Sequence, residues 1–180
     1  EVVHTTPSPP DLMFDDSLTL MLGARRVKIV SPGRGNTAGD TYIYLPDDRV
    51  LLTGDLVTMP GPFPSTSYFS EWIRDLDQLE SLHASTIVPG HGDVMHDYKY
   101  IDMVRELLVF TRDQTRNAVL EGIPLDSAQK TIDFAPWVKR FAGDDVVRAN
   151  AFRNFYPQPA VQRAYEEASF EIQGAIPKPS

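Results

Sequence analysis

Leu18, Leu20 and Leu22 alternate with Thr19 and Met21, and Val27 and Ile29 resume the alternation beyond Gly23-Ala24. An apolar period of two, broken by a tight turn, predicts two short strands joined as a hairpin. The stretch Asp40-Thr41-Tyr42-Ile43-Tyr44-Leu45 predicts a third strand, with Tyr42 and Tyr44 on one face and Ile43 and Leu45 on the other. Asp47-Asp48 turns the chain into Val50-Leu51-Leu52, apolar on both faces and so expected to be buried, with the strand ending at Gly54-Asp55. Three prolines in "MPGPFPSTS" exclude a helix or a central strand there. Trp72, Leu76, Leu79 and Leu82 recur at helical spacing and predict a helix over 70–83, capped by Ser70. A short buried strand follows in "STIVPGHGD". Ile101, Val104, Leu108 and Thr111 then share a face of a long helix over 98–122, stopped by Gly122. Beyond it the pattern predicts short helices, with Asp126, Asp144 and Pro159 as start signals and Phe134, Trp137, Phe141, Phe152, Phe155, Tyr156 and Tyr165 as their core or, in the alternative, as part of a substrate-gating cap or subunit contact.

The order β-β-β-β-α-β-α followed by helices predicts an α/β unit with a helical C-terminal third. It divides into an extended lead-in at 1–17, a half domain at 18–122, a helical extension at 123–172 and a tail at 173–180. The chain has 180 residues, enough for one domain and its own core at 42% hydrophobic residues. It opens on Glu1-Val2-Val3, as a processed or partial chain would.

A net charge of −8 without any basic run argues against nucleic-acid or anionic-membrane partners, which are bound by clustered Lys and Arg. No apolar run reaches the ~18 residues of a membrane-spanning helix, so a soluble protein is expected, with cytoplasm and periplasm left open. The absence of cysteine removes disulfides, thiolate metal sites and a thiol nucleophile.

Three loops at predicted strand ends place polar side chains beside glycine: Gly35-Asn36-Thr37-Ala38-Gly39-Asp40, Thr53-Gly54-Asp55 and Pro89-Gly90-His91-Gly92. A carboxylate and an imidazole from two strand ends suit one zinc, manganese or iron ion. Each signal alone has an ordinary reading. A Gly-Asp pair often only turns the chain, and His4, His83 and His96 fit structural positions in the lead-in, at a helix end and at the start of the long helix. A second reading makes "SPGRGNTAGD" an anion cradle with Arg34, although it lacks the Lys-Ser/Thr of a phosphate loop.

Taken together, "GNTAGDTYIYLPDDRVLLTGD" and "IVPGHG" resemble, in order and spacing, the C-terminal half of metallo-β-lactamase-fold hydrolases, over about residues 18–122. The resemblance implies an αββα fold truncated mainly to that half. It implies a metal-dependent hydrolase in which Asp55 bridges two metals, His91 binds the second, Thr37 and Asp40 support the ligands, and the metals activate water. Two departures stand out. Asn36 occupies the place of a ligand His, and a neutral amide binds zinc weakly. The His-x-His-x-Asp-His motif of the other half is absent, since the four histidines are His4, His83, His91 and His96.

The expectation is therefore an incomplete metal site. No tightly bound cofactor and no catalysis by this chain alone follow, unless the site is completed and then takes zinc, manganese or iron. The alternatives are a non-catalytic binding or assembly module on the same scaffold, or a half-enzyme completed by another chain. Leu18, Leu20, Val27, Ile29, Ile43, Leu45, Val50 and Leu52, on one face of the sheet or the other, are candidates for a core surface needing cover from a homodimer partner, a complementary chain or the C-terminal helices.

Overall fold

The computed structural model describes residues 10–174. His4 and most of the lead-in lie outside the described residues. The sheet consists of β1 (Ser17–Leu22), β2 (Arg25–Val30), β3 (Tyr42–Leu45), β4 (Val50–Thr58) and β5 (Thr86–His91), in that spatial order. β1 to β4 pair antiparallel with neighbours, and β5 returns parallel to β4 after the crossover helix α1 (Phe69–Ser81). The hairpin register sets Leu20 opposite Val27 and Leu22 opposite Arg25, closed by Gly23 at φ 63°, a left-handed turn position that favours glycine.

Register fixes the two faces. Leu18, Ile29, Ile43, Leu52 and Val88 form one cross-strand row. Tyr44, Leu51 and Ile87 form the row beside it, on the opposite face. The second face is the inner one. Leu51 and Ile87 are fully buried in a common core with Trp72, Leu76 and Leu79 of α1 and with Ile101, Val104 and Leu108 of α2 (Lys99–Leu120). The Tyr44 hydroxyl donates to the Leu82 carbonyl at 3.1 Å, and the Trp72 indole donates to the Leu56 carbonyl at 3.0 Å, so the polar tips of both rings are satisfied.

The helical third comprises α3 (Leu125–Thr131), α4 (Ala135–Ala142), α5 (Val146–Phe155) and α6 (Pro157–Gln173). α6 packs along α2 and touches α1, α3 and α5, so these helices lie on the helix layer and leave the outer sheet face uncovered. Phe134, Phe141, Phe152 and Tyr156 are buried as expected, with Phe152 stacked on Tyr156 at 5.1 Å between ring centroids, whereas Phe155 faces outward and is exposed. The Tyr156 hydroxyl shares a 3.0 Å hydrogen bond with Thr111 of α2.

Several boundaries differ from the sequence expectation. β4 runs on to Thr58 rather than stopping at Asp55, because Leu56 and Val57 are themselves fully buried. Ser70 does not cap α1; the helix starts at Phe69, and its first amides are taken by Glu167 of α6. His96 precedes α2 in the loop, where its Nδ1 lies 3.2 Å from the Ser85 carbonyl oxygen. Asp145 rather than Asp144 caps α5, accepting from Val147 N at 2.8 Å and Arg148 N at 3.0 Å. α6 begins at Pro157, two residues before Pro159, where a missing N–H costs nothing.

Candidate functional site

Asp55, three residues before the end of β4, and His91, the last residue of β5, come from neighbouring strands and meet. Asp55 Oδ1 lies 3.5 Å from His91 Nε2, with both side chains more than half exposed. The meeting depends on an irregularity. Gly54 pairs with Pro89 and Thr58 with His91, so β4 spends four steps where β5 spends two. The extra residues bend β4, burying Leu56 and Val57 and leaving Asp55 outward.

Two glycines make room. A Cβ on Gly90 would stand 2.2 Å from Asp55 Oδ1 and 2.7 Å from the Gly54 carbonyl carbon, so only glycine lets the carboxylate cross the end of β5. Gly92, at φ 108°, would meet Met59 Cβ at 2.6 Å. Met59 N in turn donates to the His91 carbonyl at 2.9 Å, which ties the proline loop to the same edge.

The glycine-rich loop lies alongside, with the Thr41 carbonyl oxygen 3.2 Å from the place of a Gly54 Cβ. Within it Asp40 accepts from Thr37 N at 2.9 Å and from Thr37 Oγ1 at 2.8 Å, an arrangement that closes the turn by side-chain to backbone bonding. Tyr68 N donates to the Gly35 carbonyl at 2.8 Å and Thr66 Oγ1 to the Asn36 carbonyl at 3.2 Å, holding the loop on the segment that enters α1. Asn36 is buried, and its Oδ1 has no hydrogen-bond partner. Arg34 is engaged elsewhere: it pairs with both oxygens of Glu71, Nε at 3.1 Å, and lies over the Tyr68 ring at 4.4 Å. That pairing weighs against the anion-cradle reading, since the guanidinium is already neutralised.

Under the loop sits an acid that sequence reasoning did not single out. Asp75 of α1 is buried, and its Oδ2 has no partner. A Cβ on Gly35 would stand 2.6 Å from Asp75 Oδ2 and 2.8 Å from Asp40 Oδ2, so both acids press on one glycine. Burial, reinforced by Asp40 and Glu71, pushes the Asp75 carboxyl up to about 7. The signal was present in the pattern: residue 75 falls among 72, 76 and 79, on the apolar stripe.

Asp55 and His91 are a carboxylate and an imidazole side by side, both open to solvent. Among the described residues no group of three or more His, Cys, Asp and Glu side chains gathers to hold a metal. No described helix is long and apolar enough to cross a membrane.

Comparison with known proteins agrees with this architecture. A family model described as the metallo-beta-lactamase superfamily matches residues 5–91. A linear primary-alkylsulfatase of Pseudomonas sp. is 24% identical over 147 residues, covering 76% of this chain and 28% of that protein. A beta-lactamase-like protein 2 homolog of Caenorhabditis elegans is 24% identical over 137 residues, covering 71% of this chain and 44% of that protein. The chain thus spans less than half the length of these curated relatives. Among solved structures, a metallo-beta-lactamase from Pontibacter korlensis matches with a TM-score of 0.51 at 25% identity, over 57% of this chain and 50% of that one. A stereoselective inverting sec-alkylsulfatase from Pseudomonas sp. matches in fold with a TM-score of 0.66 at 15% identity, over 88% of this chain and 26% of that one. That second likeness extends through the helical third. With its strand order, its Asp55–His91 edge and its glycine-built loops, the chain belongs to the metallo-β-lactamase superfamily.

Proposed function

We propose that this chain carries one side of a metal-dependent hydrolase centre and does not catalyse hydrolysis alone. The observation that supports this is the Asp55–His91 pair, 3.5 Å apart and kept clear by a glycine at position 90. A carboxylate and a neutral imidazole are good zinc donors, but a bound zinc takes three or four ligands. The pair fits one side of such a centre and not the whole. Asn36 does not complete it, since its amide oxygen is a weak donor and the side chain is buried. In this reading the remaining ligands come from polypeptide other than the residues of this chain, adjoining it or on a partner. A completed centre would supply Lewis acidity and an activated water. Thr37 and Asp40 brace the loop beside the pair through their mutual hydrogen bonds. The hydrolase names of the relatives, alkylsulfatase and beta-lactamase-like protein, give the class of chemistry this reading adopts.

The same reading makes the outer sheet face a contact surface, covered by a second copy or by a complementary chain. A binding or assembly module without chemistry is the second reading, and buried, unpartnered Asn36 at the ligand position favours it.

Calorimetric titration of zinc into the full chain separates these from a complete enzyme. The expected result is binding weaker than micromolar, removed by Asp55→Ala or His91→Ala. Tight binding of two zinc ions per chain overturns the proposal. Zinc binding unchanged by both substitutions removes the assigned ligands.

A further inference from the structure

We infer that the cavity between the proline loop and α5 takes the hydrocarbon chain of a substrate whose reacting group lies at the Asp55–His91 edge, an inference that rests on the metal-hydrolase reading of that edge. The cavity has a volume of about 300 Å3, and Pro60, Pro62, Phe63, Ala151, Phe152 and Phe155 contribute to its wall. No charged side chain lines it. A wall of that kind offers nothing to a phosphate or a sugar and favours apolar groups by desolvation alone.

Three observations tie the cavity to the site rather than to ordinary core packing. First, it is open: Phe63 is 53% and Phe155 57% exposed, with ring centroids 6.3 Å apart, so two large apolar rings flank an entrance that water occupies at a cost. Second, its proline-loop wall is tied to the edge through the backbone. Met59, one residue before Pro60, donates its amide to the His91 carbonyl at 2.9 Å. The wall therefore starts one peptide from the residue paired with His91. Third, its shape is built. A Cβ on Gly61 would stand 3.3 Å from Phe152 Cδ2, so the loop lies on α5 as closely as glycine permits. The rings behind it are fixed in turn, Phe141 against Phe152 at 5.3 Å and Phe152 against Tyr156 at 5.1 Å between centroids.

The probe is decanoate, titrated calorimetrically into the full chain with a chelator present, so the readout does not depend on metal. Saturable binding is expected, weakened about tenfold (~1.4 kcal/mol) by Ala151→Phe, which fills the cavity, and by Phe63→Ser, which removes an exposed wall. Both variants should keep the wild-type circular dichroism. In the wild type, decanoate should also shift the 1H–15N signals of the His91 imidazole. No saturable binding, or binding indifferent to both variants because the chain sits on the outer sheet face, overturns the inference. So does binding that leaves the His91 signals unmoved. Failure of the zinc titration with success here would strike the metal-hydrolase reading and leave the cavity as a hydrocarbon site.

Discussion

Asp75 shows how one side chain can work against the fold that contains it. Its ordinary carboxyl value is 3.8, and in the folded chain it lies at about 7. Between those values the folded state holds a proton that the unfolded state has released. Stability therefore falls as pH rises from about 4 through 7, by at most ~1.4 kcal/mol for each pH unit. The groups around it act in the same direction or weakly against it: Asp40 and Glu71 raise the value, and Arg74 lowers it. Asp75→Asn keeps the shape and cannot ionise. Urea unfolding at pH 5 and pH 8 should show a smaller difference for this variant than for the wild type, with the variant the more stable of the two at pH 8. An unchanged pH difference would show that Asp75 ionises freely in the folded chain.

At the scale of elements, the joint between α6 and α1 is the decisive one. The Glu167 carboxylate accepts from Phe69 N at 2.7 Å and from Ser70 N at 2.9 Å. It supplies the cap that no side chain of α1's own N-terminus provides, and puts a negative charge where the helix dipole is positive. Arg163, one turn earlier on α6, donates to the Ser67 carbonyl at 3.2 Å through Nε and 3.1 Å through a terminal nitrogen. The last helix thus clamps the crossover helix that sets β5 beside β4. Glu167→Ala should lower the unfolding free energy by about 1–2 kcal/mol, measured by chemical denaturation, with Glu167→Gln losing less. A variant as stable as the wild type would mean that water caps α1 equally well.

At the scale of the whole molecule, the outer sheet face dominates. Leu20 is 38% and Leu22 65% exposed, and Leu18, Ile29, Ile43 and Leu52 beside them are only half-buried, with no described helix above them. Roughly 500 Å2 of such surface left in water forgoes about 12 kcal/mol at ~25 cal/mol per Å2. That is as large as the net stability of an ordinary domain. The proposed cover by a second copy predicts a dimer in sedimentation equilibrium that Ile43→Glu, in the middle of the face, converts to monomer while the circular dichroism persists. A wild-type chain that sediments as a monomer would rule out self-association as the cover.

Near neighbours in sequence made much of this protein legible. The alternation of Leu18, Leu20 and Leu22 with the Val27–Ile29 pair marked both the hairpin and its apolar face, because side chains two apart on a strand share a side. His91, between two glycines, could be placed at a strand end for the same local reason, whereas β4 continues three residues past Asp55. Other features depended on residues far apart along the chain. Glu167 caps a helix that begins 98 positions earlier. Asp75 becomes a strong proton holder only because Asp40 and burial converge on it, and the bend that turns Asp55 outward exists only against β5. Periodicity reports which side of an element is apolar. Which remote group comes to lie against that side is settled only when packing brings the elements together, and the capping, the raised acidity and the cavity between the proline loop and α5 all arise there.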